Sequence, residues 1–399
     1  MISFQEAYRL TLSKIQPLGR EVVSLADAVD RVSGEELAAK IWSPTADASL
    51  KDGFAVQSGD IAEAGPDHEV ALDLVGSVAA GGDWKGILGP GQTVRILSGA
   101  PLPDGAEAVL AEEFTRVHGQ QVIAFNTAKP GRNVLPKGQD VAPGAVLVQP
   151  GEKLRPTMVG YLASAGYAEV PVFKRPVVGI IATGDEVIAP GKPLQEGKLY
   201  ASNLVTLSSW CRRYGFEVET DVLPDQRETL TAGLKTALES YDAVITSGGA
   251  WKGDRDLVAA VLDDLGWEKI YHRVKMGPGK AVGFGMVGTK PVFCLPGGPP
   301  SNHMAFLQLA LPGIMKLAGW KDLGLPSVPV RLKNTLRGQL DWTQFIHGRI
   351  TETGACLEFE SIKLKSRLQM LSRSEAVVKI PEGVEEIAEG ETVMAALLS

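Results

Sequence analysis

Three stretches decide how this chain is read: Thr183-Gly184-Asp185-Glu186, Ser247-Gly248-Gly249-Ala250-Trp251-Lys252-Gly253-Asp254-Arg255-Asp256, and Pro296-Gly297-Gly298-Pro299-Pro300-Ser301. Each follows a short apolar run of strand length, Val177 to Ala182, Ala243 to Thr246 and Val292 to Leu295, and a fourth run covers Phe216 to Leu223. Helical patterns lie between them. Asp225 and Glu228 have capping-box spacing before Leu230, Leu234 and Leu238, and Asp254 precedes Leu257, Val258, Val261, Leu262 and Leu265 on one face. Strands alternating with helices predict a mainly parallel, doubly wound α/β sheet, in which ligands bind beyond the carboxyl ends of the strands. Glycines there let backbone N–H groups approach a ligand, and the helices that follow direct their positive ends at it, which suits phosphate or another oxyanion. Tight turns and caps at Asp254 and Ser301 are the favoured explanation of any one loop; three loops together at one sheet edge reverse that preference and favour a ligand.

Glu186, Asp254 and Asp256 would repel an anionic ligand unless a cation stood between them, so a magnesium-bridged phosphate is expected. The competing reading makes Asp254 an N-cap and Asp256 a first-turn charge on the helix dipole. Lys275 and Lys280, around Met276-Gly277-Pro278-Gly279, are candidates for neutralising phosphate, with solvated loop lysines as the alternative.

Outward from these loops the texture changes twice. From about Trp42 to Gly151, short alternating runs such as Val70 to Val75 and Gln121 to Phe125 stand between Gly and Pro clusters and predict a small β-rich domain. From about Leu323 to Ser399, strand-like runs return at Val328 to Leu332, Phe345 to Ile350, Ala376 to Ile380 and Thr392 to Leu397, which predicts a β-barrel or sandwich. At the start, Ser3 and Glu6 have capping-box spacing, and Phe4, Tyr8, Leu12 and Ile15 recur on one helical face that needs a partner surface.

Composition narrows the class. At about 150 residues per domain, 399 residues make two to four units, and 22% charged with 44% hydrophobic residues describes a folded, soluble protein. A net charge of −7 disfavours nucleic acid as a partner. Cys211, Cys294 and Cys356 form no zinc or disulfide pattern, and the five histidines no metal or nucleophile motif. Glu6, Arg9 and Lys14 interrupt any signal-peptide core, and Gln308, Pro312 and Lys316 break the apolar stretch from Ala305 to Trp320, so no membrane span is expected and a cytoplasmic location follows.

Taken together, Ser247-Gly248-Gly249 running to Gly253-Asp254-Arg255-Asp256, then Pro278-Gly279-Lys280, then Leu295-Pro296-Gly297 with Pro299 and Ser301, resemble the molybdopterin molybdenumtransferase family, known as MoeA and as the gephyrin E domain. The resemblance covers almost the whole chain. Asp47, Ser49 and Asp52-Gly53-Phe54-Ala55-Val56 match its acidic D-G-[YF]-A motif, and Arg95-Ile96-Leu97-Ser98-Gly99-Ala100-Pro101 its R-I-x-T-G-A-P segment. Gly138-Gln139-Asp140 matches G-E-D, and Thr183-Gly184-Asp185-Glu186 with Tyr200, Ser202 and Asn203 matches T-G-D-E and Y-D-S-N.

This resemblance implies a helix at 1–17 packed on the α/β domain, a linking domain at 18–41 and 145–174, and a β-rich domain at 42–144. It further implies a molybdopterin-binding α/β domain at 175–322 and a C-terminal β-barrel at 323–399. It implies a homodimer with each site shared between subunits, and magnesium-assisted insertion of molybdate into adenylylated molybdopterin with release of AMP. The molybdopterin adenylyltransferase is the implied partner. Asp256, Glu186 and Asp140 would position metal or nucleotide, with Glu186 and Asp256 as metal ligands; Asp52 would act from the partner subunit, and Lys280 would neutralise oxoanion charge. Substrate contacts carry over to Ser98, Thr183, Gly184, Asp185, Ser247, Gly248, Gly249, Asp254, Lys275, Pro296, Gly297, Pro299, Ser301 and Ser366.

Several positions depart from the family pattern. Gly277 replaces a lysine, Gly298 an asparagine, His347 an arginine, and Lys365-Ser366 a G-S pair, while Trp251 and Lys252 stand where small residues are usual. Lys252 or Lys275 is expected to supply the missing charge. The alternative function that these departures suggest is a non-catalytic or altered-specificity paralogue that binds a pterin or nucleotide, or a scaffold.

Overall fold

The computed structural model describes residues 1–248, 257–354 and 356–398. A six-stranded sheet runs in the order Glu217–Leu223, Val177–Thr183, Ala243–Ser247, Lys290–Leu295, Gly283–Val287, Glu268–His272. The first four strands are parallel, with Ile180 paired to Thr220 on one side and Ile245 on the other, and Ile245 to Phe293. These are the four strands expected from the apolar runs. The last two are antiparallel additions that the sequence reading did not contain. Gly283 and Gly285 disguise one of them: a Cβ on Gly285 would stand 2.3 Å from Trp267 Nε1, so the strand gives up side chains to admit the indole and reads as a loop.

Helices Ser202–Arg213, Arg227–Ser240 and Leu257–Asp264 pack on the sheet through leucine and valine rows. Leu230 and Leu234 are fully buried, each contributing roughly 1.5–3 kcal/mol. The capping box expected at Asp225 is not formed; Gln226 holds the N-cap position without a side-chain bond, and the Asp225 N–H instead donates to Asp185 Oδ1 at 3.1 Å. The apolar stretch beyond Pro299 forms three consecutive helical segments, Pro299–Ala305, Phe306–Ala310 and Leu311–Leu317. The middle one is a π turn. Pro312, lacking an N–H, follows that widened turn. Among the described residues no helix is long and apolar enough to cross a membrane.

The first helix, Phe4–Lys14, starts as expected, with Ser3 Oγ accepting the Glu6 N–H at 3.1 Å. Its buried face differs from the expected one: Phe4, Ala7, Thr11 and Ile15 are buried, while Tyr8 and Leu12 are only partly covered. The shift follows from a polar anchor, because the Thr11 and Tyr271 hydroxyls lie 2.7 Å apart in the core and hold the helix against the sheet strand Glu268–His272.

Strand Val274–Gly277 leaves this α/β layer and joins a second sheet. It pairs in parallel with Ile2–Ser3 on one edge and with Thr343–Thr353 on the other. From there the order continues Cys356–Ser361, Ser327–Leu332, Thr392–Leu397 and Ala376–Ile380, and a pairing of Ala376–Ile380 back to Thr343–Thr353 closes the C-terminal sheet into a barrel. Four of the barrel strands coincide with the expected runs; Cys356–Ser361 was missed because its acidic, partly exposed pattern carries little apolar signal. A further six-stranded sheet, Ala108–Ala111, Gly53–Val56, Gln92–Ile96, Val70–Val78, Gln121–Ala124 and Thr115–His118, forms the β-rich region. Gly53 is required there, since a Cβ would lie 2.1 Å from the Leu110 carbonyl oxygen.

His303 of the α/β region and His347 of the barrel meet where the two pack together, with ring centroids 6.3 Å apart. Trp210 Nε1–H donates to His303 Nε2 at 2.9 Å, and burial lowers the pKa of His303 to about 3, with help from His347, and that of His347 to about 4. Above the ordinary histidine value of 6.5 both rings are neutral folded or unfolded. As pH falls from 6.5 towards 4, the unfolded chain takes up protons that the folded chain refuses, so stability is lost across that window. His347→Phe is expected to remove on the order of 3 kcal/mol of this acid sensitivity, read as the change in urea midpoint between pH 7 and 4.5 relative to the parent. Parallel pH dependence in the two proteins would contradict it.

Candidate functional site

The carboxyl ends of three adjacent parallel strands bring Thr183-Gly184, Ser247-Gly248 and Pro296-Gly297 together, as their positions in the sheet require. Gly248, at φ +102°, packs directly on the first loop: a Cβ there would stand 2.4 Å from the Thr183 carbonyl oxygen. Its N–H is already spent on the Leu295 carbonyl at 3.1 Å, so this glycine serves loop packing rather than presenting its amide to a ligand. Gly297 lies in ordinary contact with Gly248, where its Cβ would be 3.7 Å from the Gly248 Cα.

Two asparagines bind the loops to one another. Asn203, in the first turn of Ser202–Arg213, donates to Ser247 Oγ at 3.3 Å and to the Gly297 carbonyl at 2.9 Å. Asn302 donates to Ser247 Oγ and to the Pro296 carbonyl, both at 2.9 Å. The sequence reading quoted Asn203 only as part of a motif and missed Asn302 altogether; its signal was a polar residue on the face of a helix otherwise buried among Met304, Ala305 and Phe306. Ser301 does not cap that helix, whose N-cap is Gly298. Pro299 opens it, so its positive end faces the loop cluster.

Carboxylates flank the cluster. Glu186 folds back over Gly184, where a Cβ would meet its Oε2 at 2.7 Å. Asp185 and Glu186 are exposed, and the pKa of Asp225, at the end of the neighbouring strand, is raised by partial burial and by the charges of Asp185 and Glu186. This mutual repulsion suits a divalent cation, although among the described residues no three His, Cys, Asp or Glu converge on one point. Gly249, Lys252, Asp254 and Asp256 lie outside the described residues.

Lys280 ends the turn that follows strand Val274–Gly277, its carbonyl accepting the Val274 N–H at 3.0 Å, and its ammonium sits 5.2 Å from the centre of the Trp342 ring. Lys275 lies within that strand, opposite Ser3. At Gly277, where the family pattern has lysine, a Cβ would come within 2.8 Å of Gln344 Oε1, so the glutamine amide fills that space. Ser366 caps the helix Arg367–Arg373 by accepting the Gln369 N–H at 3.3 Å. Arg367, which the sequence reading also missed, reaches the third loop: its Nη1 would be 3.9 Å from a Cβ on Gly298.

A second group forms on the β-rich domain. Asp52 Oδ1 accepts the Ser98 N–H at 2.6 Å and the Asp52 carbonyl accepts the Glu112 N–H, so the two motifs that carry Asp52 and Ser98 are joined. Asp47 Oδ1 accepts the Lys137 N–H at 2.7 Å, bringing in the Gly138-Gln139-Asp140 segment. Gly138, at φ +70°, lies against Trp42, while the Asp140 carbonyl accepts the Tyr161 hydroxyl at 2.9 Å. The expected site residues thus fall into two groups, one on the β-rich domain and one spanning the α/β and barrel regions.

The chain matches the MoeA N-terminal region (domain I and II) over residues 2–166, a probable molybdopterin binding domain over 179–316, and the MoeA C-terminal region (domain IV) over 329–398. It is 30% identical to the molybdopterin molybdenumtransferase of Haemophilus influenzae, with 98% of each chain covered. It is also 30% identical to molybdopterin molybdenumtransferase 2 of Mycobacterium tuberculosis, again over 98% of each. The solved structure of the molybdopterin biosynthesis moeA protein from Pyrococcus horikoshii OT3 superposes with a TM-score of 0.86 at 28% identity, covering 100% of both chains. With its three regions matched in order and full-length relatives at this identity, the chain belongs to the molybdopterin molybdenumtransferase (MoeA) family.

Proposed function

We propose that this protein catalyses the magnesium-dependent insertion of molybdate into adenylylated molybdopterin, with cleavage of the pyrophosphate link and release of AMP. The observation that carries the reading is the loop cluster at the carboxyl edge of the parallel sheet, cross-linked by Asn203 and Asn302, with Glu186 folded over Gly184 and Arg367 reaching Gly298. Such a surface suits a phosphorylated ligand, with the helix beginning at Pro299 adding a favourable dipole. Thr183, Gly184, Ser247, Gly248, Pro296, Gly297, Pro299 and Ser301 form its floor in this reading. Asp185 stands beside it, Lys275 and Ser366 are assigned to its margin, and Gly249 and Asp254 are assigned to it from the family resemblance alone.

Magnesium, when bound, would offset phosphate charge and stabilise the departing AMP. Glu186 and Asp256 would hold it, and the neighbouring carboxylates Asp185 and Asp225 would add negative charge there. Lys280 binds the oxoanion, and its place beside the Trp342 ring orients the ammonium. Asp52, held by the Ser98 N–H, works from the partner subunit of a homodimer, and Asp140 borders the nucleotide. Separate sheets support the division of 18–41 with 145–174 from 42–144, while one seven-stranded sheet joins strands of 1–17, 175–322 and 323–399. The three cysteines, none of them in a disulfide, suit a reducing cytoplasm, where the molybdopterin adenylyltransferase would supply the substrate.

Lys280→Ala should leave the fold intact, because the residue is exposed, and raise the KM for adenylylated molybdopterin by about tenfold or more, the loss of one charge-assisted contact. AMP release measured against substrate concentration checks this. An unchanged KM would place the phosphate elsewhere.

A further inference from the structure

Ser247 Oγ receives two amide donors, and the identity of those donors follows from chemistry. Asn302 Nδ2 also faces the Pro296 carbonyl and Asn203 Nδ2 the Gly297 carbonyl; carbonyl oxygens only accept, so both amide groups must present NH2 on that side. Each amide thereby uses one N–H on a loop carbonyl and the other on the same hydroxyl. A serine hydroxyl has two acceptor positions and one proton. With both acceptor positions filled, its proton has to be donated away from the asparagines, and among the described residues no group accepts it. Ser247 is only 4% exposed, so this orientation is set in a shielded environment at the mouth of the loop cluster.

We propose that Asn302 is a positioning residue that holds the Ser247 hydroxyl as a hydrogen-bond donor towards a phosphate oxygen of the substrate, a role that rests on the reading of the loop cluster as the phosphate site. Asn302 is 1% exposed and sits one helical turn beyond Gly298, its N–H donating to the Gly298 carbonyl at 2.9 Å. Gly298 is the position at which the family pattern carries asparagine. An amide one turn further along the same helix therefore reaches back to the loop, fixes the Pro296 carbonyl and orients Ser247 in one arrangement. Asn203 supports the hydroxyl from the partly exposed side with a longer bond of 3.3 Å, so the buried amide is the dominant restraint.

The test is a double-mutant cycle on binding. Dissociation constants for adenylylated molybdopterin are measured by calorimetry under anaerobic conditions for the parent, Ser247→Ala, Asn302→Leu and the double variant, with thermal unfolding recorded for each. Ser247→Ala and Asn302→Leu are each expected to weaken binding by about tenfold, and the double variant to be no weaker than the weaker single one, because both remove the same donor. In turnover the KM should rise while kcat stays within about threefold. Additive losses, or an unchanged dissociation constant in Asn302→Leu, would overturn the proposal, since a merely structural role would lower stability without coupling to Ser247. If Asn302→Leu does not fold, Asn302→Ser, which is smaller and cannot span both the Pro296 carbonyl and Ser247 Oγ, carries the same cycle with the same criterion. A parent that fails to bind overturns the phosphate-site reading and this proposal together, whereas binding without AMP release overturns only the catalytic reading.

Discussion

Gly248→Ala is expected to abolish AMP release and to destabilise the protein by about 2–4 kcal/mol. The new Cβ would stand 2.4 Å from the Thr183 carbonyl oxygen, at a φ of +102° that L side chains avoid. The obstructing atom belongs to the backbone of a central strand, Val177–Thr183, so relief requires the second loop to lift away from the first. That movement carries Ser247 with it and breaks the bonds from Asn203 and Asn302 that align the third loop. Gly298→Ala is the matched control, because there the nearest atom to a Cβ is Arg367 Nη1 at 3.9 Å and the backbone is at an ordinary φ of −70°. Its stability should change by less than about 0.5 kcal/mol. Chemical denaturation of both variants checks the contrast, and similar stability in the two would contradict the packing role assigned to Gly248.

Mixing two inactive variants is expected to restore activity. Asp52 directly precedes strand Gly53–Val56 of the β-rich sheet and Asp256 ends the second glycine-bearing stretch of the sequence, so in the proposed subunit-shared site Asp52→Ala and Asp256→Ala would disable opposite contributions. Each alone should lose AMP release by a factor of about 100 or more, the equivalent of roughly 3 kcal/mol in the barrier. In a heterodimer one of the two sites combines both altered residues and the other combines two intact ones. Random re-association makes half of the dimers heterodimers, so recovery to about a quarter of parental activity is expected. Confirmed heterodimers without activity would show that each site is built within one chain.

Much of the fold was legible because three of the four parallel strands are buried on both faces. Ala243–Ser247 is buried at every position, and such a run between amphipathic helices has few alternative readings. What escaped were elements whose signals are cancelled by their neighbours. Gly283 and Gly285 make room for Trp267 and erase the strand pattern, and the exposed face of Cys356–Ser361 conceals its part in the barrel. The first helix was placed correctly and turned incorrectly, because the hydroxyl of Tyr271 selects Thr11 over Leu12 for the core. At Asp225, local spacing suggested a cap, while the nearby carboxylates and the Asp185 acceptor drew it into a different contact.

The candidate site was legible as loops but not as a network. Glycine and proline punctuation marked where Thr183, Ser247 and Pro296 leave the sheet, and sheet order alone brings those ends together. The residues that hold them in place come from elsewhere: Asn203 from one helix, Asn302 from another, Arg367 from the far end of the chain. Side-chain amides are ambiguous in sequence, since an asparagine inside a helix more often costs stability than organises a site. Only the convergence of both amides on Ser247 Oγ distinguishes these two.

The central claim is tested most directly by a stoichiometry. Purified protein is incubated anaerobically with adenylylated molybdopterin, molybdate and magnesium, and AMP is quantified alongside molybdenum retained in a cofactor that can activate an apo-molybdoenzyme. One AMP released per active cofactor formed, with neither product when molybdate or magnesium is omitted, is the predicted result. Tight binding of the adenylylated pterin with no active cofactor formed would contradict it and leave a binding protein in place of a transferase.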